Sequence, residues 1–230
     1  MPVASFAEPL PEIIAPSPDR DPLGERVLSA DGPGLAVFQP ADVRVVIGRG
    51  QDPRREVQVA ACQAAGIPIH RRVTGGGTVI LAPGMVVVAL RLAGGLRAPD
   101  DLFALVNGGL IPAVADACGA RVACRGHGDL ALRGDDGVER KVLGASLRQS
   151  TTVSAYLGVF LVDDAVPLME RLLAHPSREP GYRAGRDHRA FCTHLGSVGC
   201  TVSGLIAALE RQMAPLVDAA PAASGSCATP

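Results

Sequence analysis

Three consecutive glycines, Gly75-Gly76-Gly77, interrupt a dense run of strand-forming sequence. Residues 67–73, 78–81 and 86–92 are rich in Val, Ile and Leu and are bounded by glycine and proline, so they read as strands around a glycine turn. Similar runs stand at 35–38 and 43–47, joined by a Pro-Ala-Asp turn, and at 121–124, 129–132, 141–148 and 153–162. Gly134-Asp135-Asp136-Gly137 adds a hairpin signal. Helical patterns separate these groups. Residues 53–65 have Pro53 to open a helix and Gly66 to end it; 100–118 space Leu102, Leu105, Val106, Leu110 and Val114 for one face; 165–174 and 203–216 follow. Pro112 predicts a bend or split in the second of these helices. Strands in groups, with helices between the groups, point to α+β: a mixed, largely antiparallel sheet flanked by helices, not a doubly wound parallel sheet.

Residues 1–20 are rich in Pro, Ala and Ser and read as a flexible arm, and 219–230 read as a disordered tail, leaving 21–218 as the folded unit. A hydrophobic content of 47% excludes disorder of the whole chain. The formal net charge of −1 supplies no field for nucleic acid or an anionic membrane, so neither is expected as a partner. The most apolar stretch, 78–92, is broken by Pro83, Gly84 and Arg91, too short and interrupted for a transmembrane helix. Residues 1–18 carry neither Lys nor Arg nor a continuous apolar run, unlike a signal peptide. The expectation is a cytoplasmic protein with six reduced cysteines. Cys192 and His194, with His188 nearby, lack a second ligand pair, so no metal is assigned to them.

Two segments carry candidate chemistry. In Arg71-Arg72-Val73-Thr74-Gly75-Gly76-Gly77-Thr78 the glycines permit close backbone approach. Their N–H groups can converge on a phosphate or carboxylate while the arginines add fixed positive charge. A plain glycine-rich hairpin turn with solvated arginines has the same pattern. No Gly-Lys-Ser/Thr follows, and a dinucleotide fingerprint is absent. In the second segment, Gly128-Asp129-Leu130 precedes the hairpin signal and Arg140-Lys141-Val142-Leu143-Gly144-Ala145-Ser146 follows it. Of 22 basic residues, Lys141 alone is lysine. Coding bias explains the arginines but not the exception, and a compact ammonium differs chemically from a guanidinium fork. The strand ends that carry Asp129 and Lys141 need not be neighbours in an antiparallel pair, so a plain surface hairpin is the other reading.

Taken together, Val45-Val46-Ile47-Gly48-Arg49-Gly50-Gln51-Asp52-Pro53, the glycine segment, Gly128-Asp129-Leu130 and the lysine segment resemble the successive motifs of lipoate–protein ligases, in order and at similar spacing, over about residues 35–175. The resemblance implies the fold shared by biotin ligases and class II synthetases. It implies that Arg71, Arg72, Thr74, Gly75, Gly76, Gly77 and Gly144 line an acyl-adenylate pocket, with Asp129 near the nucleotide and Lys141 as the catalytic residue at the acyl carbonyl and phosphate. The implied substrates are lipoate and ATP, with Mg2+ on the phosphates, and the implied partner is a lipoyl-acceptor protein domain. The biotin-ligase Gly-Arg-Gly-Arg-x-Gly-Arg pattern is missing.

Three departures stand out. Leu81-Ala82 occupies the place where many members carry His-Asp, and Tyr156-Leu157-Gly158 the place of His-His-Gly. Leu23-Gly24-Glu25-Arg26 replaces a helix with paired glutamates. The chain also ends before the small domain that some ligases use for adenylation, so an accessory subunit is an expected partner. A related branch uses a cysteine thioester and octanoyl groups without ATP. Cys124 lies five residues before Asp129 and is the possible nucleophile there, with Arg121, Arg125 and His127 at hand to lower its pKa. The alternative is a strand core cysteine. A non-catalytic relative that binds acylated domains, or a carboxylate binder of the same fold, is the reading from another class.

Overall fold

The computed structural model describes residues 12–15, 22–29, 34–93 and 97–218. The expected tail at 219–230 lies outside them, as does the expected arm except for 12–15. In chain order the elements are β1 (Ile13–Ile14), a 3-10 turn at Glu25–Leu28, β2 (Leu35–Phe38), β3 (Arg44–Ile47), α1 (Pro53–Glu56), α2 (Val59–Ala64), β4 (Ile69–Arg71), β5 (Val79–Leu81) and β6 (Met85–Ala93). Then come α3 (Pro99–Cys118), β7 (Val122–Arg125), β8 (Asp129–Arg133), β9 (Glu139–Gln149), β10 (Val153–Leu161), α4 (Val166–Leu172), α5 (His188–Phe191) and α6 (Val202–Asp218).

The strands form two sheets. Six run antiparallel in the order β2-β6-β10-β9-β8-β7, and four form a mixed sheet in the order β1-β4-β3-β5. The expected mixed and antiparallel characters are thus divided between two sheets. The short β1 pairs in parallel with β4, Ile13 opposite Ile69, so this part of the expected arm is a strand.

The six-stranded sheet is buried on both faces. Along β6, Val86, Val88, Leu90 and Leu92 pack with α3 and α6, whereas Met85, Val87 and Ala89 pack with the four-stranded sheet. β10 divides in the same way, Tyr156 and Phe160 to the helices, Leu157 and Val159 to the other side. Alternation therefore persists in space while the sequence reads as a continuous apolar run, because both sides of the pleat face a core. α3 is apolar and long enough to cross a membrane by length and composition, yet Leu102, Val106, Leu110 and Val114 are all in the helix-side core.

Two helical expectations need correction. Residues 53–65 do not form one helix: the chain breaks at Val57, which is extended, buried and bridged to Leu173, while Gln58 N donates to Leu172 O. Pairing with the end of α4 outweighs local propensity there. Pro112, expected to bend or split α3, does not split it: the helix runs unbroken from Pro99 to Cys118. Packing against α6 offsets the hydrogen bond lost at Pro112, and the two helices approach so closely that a Cβ at Gly109 would meet Met213 Sδ at 2.7 Å. Leu110, fully buried on α3, tests this core. Leu110→Ala should cost about 3 kcal/mol by cavity formation, read from urea unfolding, and a loss below about 1 kcal/mol would show that α3 is not packed in this way.

Candidate active site

β4 and β5 do not pair with each other; they lie on opposite sides of β3. The glycine segment is therefore not a hairpin turn but a crossover that arches over the end of β3, where Gly48 lies. The two backbones touch: a Cβ on Gly48 would come within 2.2 Å of Gly76 O. Gly76 has a φ of +93°, which glycine adopts without strain. A cross-chain lattice holds the arch. Gly48 N and Thr78 Oγ1 both donate to Gln51 Oε1, at 2.8 and 2.9 Å, and Arg49 N donates to Thr74 O at 2.9 Å.

Both arginines serve this scaffold. Arg71 Nη1 donates to the carbonyls of Gly48, Arg49 and Gln51 at 2.9–3.1 Å. Arg72 is buried, and its Nε and Nη2 hold Gly75 O at 3.1 and 2.7 Å while Nη2 also reaches Gly77 O at 2.6 Å. Burial pulls the Arg72 guanidinium down to about 10, and the nearby Glu25 carboxylate opposes that shift. Glu25 Oε1 also accepts from Val73 N at 2.8 Å. The exposed residues 75–77 are thus carried on a frame of carbonyl-bound arginines. Thr74 is buried, its hydroxyl 3.3 Å from Ser146 Oγ on β9, which joins the two expected segments.

Lys141 and Asp129 are neighbours although each lies near the start of its strand and the two strands run antiparallel. The register along β8 and β9 matches Leu130 with Leu143 and Ala131 with Lys141, so Val142 is an extra residue. This bulge turns Val142 and Leu143 both into the helix-side core and puts Lys141 on the same face as Gly144 and Asp129. Lys141 Nζ lies 2.8 Å from Asp129 Oδ1, and its end crosses directly over Gly144, where a Cβ would meet Cε and Nζ at 2.7 Å. The other carboxylate oxygen, Asp129 Oδ2, accepts from Tyr182 Oη at 2.7 Å. Thr193 N donates to Lys141 O at 2.9 Å and fixes the backbone behind it.

Between the glycine arch and β9–β10 lies a cavity of about 80 Å³. Leu23, Val79, Leu157 and Val159 give it an apolar wall; Arg72, Gly77, Lys141, Gly144 and Ser146 line its polar side. A cavity that combines apolar side chains with an ammonium and glycine backbone suits the head end of an acyl chain with an anionic group.

Comparisons with known proteins bear on the family and the fold. The sequence profile of the lipoyl protein ligase A/B catalytic domain matches residues 23–212. The chain belongs to that family. The same fold, that of biotin and lipoate ligases and class II synthetases, recurs in an archaeal bipartite lipoate protein ligase from Thermoplasma acidophilum studied with its E2 lipoyl domain: TM-score 0.69, 19% identity, 82% of this chain and 72% of that one. A T. acidophilum protein with bound lipoic acid gives a TM-score of 0.67 at 18% identity, over 82% and 74% of the two chains. Lipoate-protein ligase A bound with ATP gives 0.65 at 18%, again over 82% and 74%.

In this lipoyl protein ligase A/B catalytic domain the departures from the family pattern fall in different surroundings. Leu81 and Ala82 are buried in the core around the four-stranded sheet, away from the cavity wall, whereas Leu157 is part of that wall. Leu23 and Glu25 bring the N-terminal stretch to the cavity and the arch. Cys124 is not brought to Lys141. It pairs with Leu130 across β7–β8, so it shares the helix-side face, and its Sγ accepts from Asn107 Nδ2 on α3 at 3.2 Å. Of its expected activators, Arg125 forms a paired hydrogen bond with Glu139 and donates to the Cys124 carbonyl, and His127 contacts Asp100. Of the residues near Cys192, His194 Nδ1 lies 3.2 Å from Val162 O, and burial pulls His188 down to about 4. Sequence reasoning missed Glu25, Gln51, Ser146 and Tyr182. Gln51 and Ser146 lay inside the quoted motifs, but Tyr182 lies outside them all.

The arch makes the glycines unequal. Gly48→Ala must displace Gly76 backbone, so about 2 kcal/mol of stability should be lost, with faster amide exchange at 74–78. Gly77, where an added methyl would meet nothing within 4 Å, should accept Ala with neither effect. Equal behaviour of the two variants would contradict the arch.

Proposed function

We propose that this domain is a lipoate–protein ligase. Lipoate and ATP form lipoyl-adenylate with loss of pyrophosphate, and a lysine amine of a lipoyl-acceptor domain then attacks the acyl carbonyl as AMP leaves. The observation that carries this reading is the Lys141 ammonium, held by Asp129 across Gly144 in a cavity that it lines together with Gly77 of the arch and apolar side chains. A fixed positive charge there offsets the charge that gathers on carboxylate and phosphate during activation, and on the tetrahedral oxyanion during transfer. The N–H groups of 75–77 supply further donors for the phosphate.

Mg2+ enters with the nucleotide. Among the described residues no group of three His, Cys, Asp or Glu side chains gathers to hold a metal, and both oxygens of Asp129 are engaged by Lys141 and Tyr182. These residues do not fit a protein-held ion, and no step is assigned to one. The bipartite relative supports an accessory subunit that completes adenylation here too.

What supports the ligase over a thioester transferase is the position of Cys124: although exposed, it sits on the face of the sheet opposite Lys141, where its thiol accepts from Asn107 of α3. Incubation with ATP, lipoate and an acceptor domain, with mass analysis of the acceptor, tests the proposal; octanoyl carrier protein without ATP tests the transferase. Lys141→Met should slow acyl transfer by about a hundredfold or more, a loss of about 3 kcal/mol in transition-state stabilisation, while circular dichroism shows the fold intact. Activity within a few-fold of wild type would remove Lys141 from the mechanism.

A further inference from the structure

Tyr182 lies in the connection between α4 and α5, on a 3-10 turn at Gly181–Arg183. Its hydroxyl reaches 2.7 Å to Asp129 Oδ2 while Oδ1 takes the Lys141 ammonium at 2.8 Å. One carboxylate is thus divided between two donors, each with its own oxygen.

The turn that delivers Tyr182 is itself fixed to β9. Arg186 Nη2 donates to Tyr182 O at 2.9 Å, and its Nη1 donates to Glu139 O at 3.1 Å, two residues before Lys141. The Tyr182 ring packs on Phe191 with centroids 5.0 Å apart, and the guanidinium groups of Arg183 and Arg186 lie 4.8 and 5.2 Å from that same ring centre. Thr193, just beyond, binds the Lys141 carbonyl. The same segment therefore grips Lys141 twice, by its backbone and through its counter-ion. A hydrogen bond to a charged group in a part-buried site is among the stronger polar contacts. Burial, then the Asp129 charge, pushes ionisation of the Tyr182 phenol far above its ordinary range, so it remains a donor at neutral pH.

We infer that Tyr182 is a positioning residue for Lys141: by occupying Oδ2 it leaves Asp129 one oxygen for the ammonium and fixes the direction in which Lys141 crosses Gly144. The catalytic consequence rests on the proposed ligase reading; the geometric one does not.

Tyr182→Phe keeps the ring on Phe191 and removes only the hydroxyl. Because Lys141 is the sole lysine, protein labelled with ¹⁵N-lysine and carrying a lysine-free tag has one Nζ resonance. In Tyr182→Phe that resonance should shift and its protons should exchange severalfold faster. The kcat of adenylate formation should fall about tenfold, with KM for lipoate and ATP within about twofold. An unchanged Nζ signal overturns the inference, and so does a shifted signal with wild-type kcat or a change confined to KM. If wild-type protein forms no adenylate with or without accessory protein, the ligase reading fails, and the Nζ signal alone decides the positioning role.

Discussion

A lysine side chain can lie across a neighbouring strand position only where the backbone there has no Cβ. In this protein that position is Gly144, and the side chain is Lys141. Residues three apart on a regular strand face opposite ways; the extra Val142 reverses that parity. It costs β9 a regular ladder bond and brings ammonium, carboxylate and glycine to one face. The rest of the site depends on that local irregularity, because the core beneath it, Val142 and Leu143, is fully buried and holds the bulge in place.

The opposite wall follows a different logic. Arg71 and Arg72 invite a reading as anion ligands, but Arg71 Nη1 and all three nitrogens of Arg72 are bonded to backbone carbonyls of β3, of the loop at 48–51 and of residues 75–77. Burying a guanidinium is costly unless its hydrogen bonds are met, and here they are met by carbonyls that the tight glycine turns leave unpaired. The arginines shape the arch, and the exposed glycines 75–77 form its outer surface. Rigid backbone donors need no side-chain ordering when a phosphate arrives, which suits electrostatic stabilisation of a transferring group.

The fold class was legible because apolar runs and turn residues mark most of the strands directly, and the lysine segment stood out as the one departure from arginine. What could not be read was produced by tertiary contact. Val57 becomes extended because Leu173 is there to pair with it, and Pro112 is tolerated because α6 packs alongside. The order of β4, β3 and β5 makes an arch from what reads locally as a hairpin turn. Two adjacent core residues, Val142 and Leu143, were the trace of the bulge, yet such a pair also occurs in strands buried on both faces. Cys124 had the right neighbourhood in sequence and the wrong face in space, since one residue of strand parity separates the two sides of a sheet.

The central claim is that Lys141 acts from its seat above Gly144. Calorimetric titration of Gly144→Ala with a non-hydrolysable lipoyl-adenylate analogue tests it most directly, because a methyl there displaces only the flexible end of Lys141. The account predicts affinity at least about tenfold weaker, with a melting temperature within about 3 °C of wild type. Wild-type affinity in that variant would contradict it.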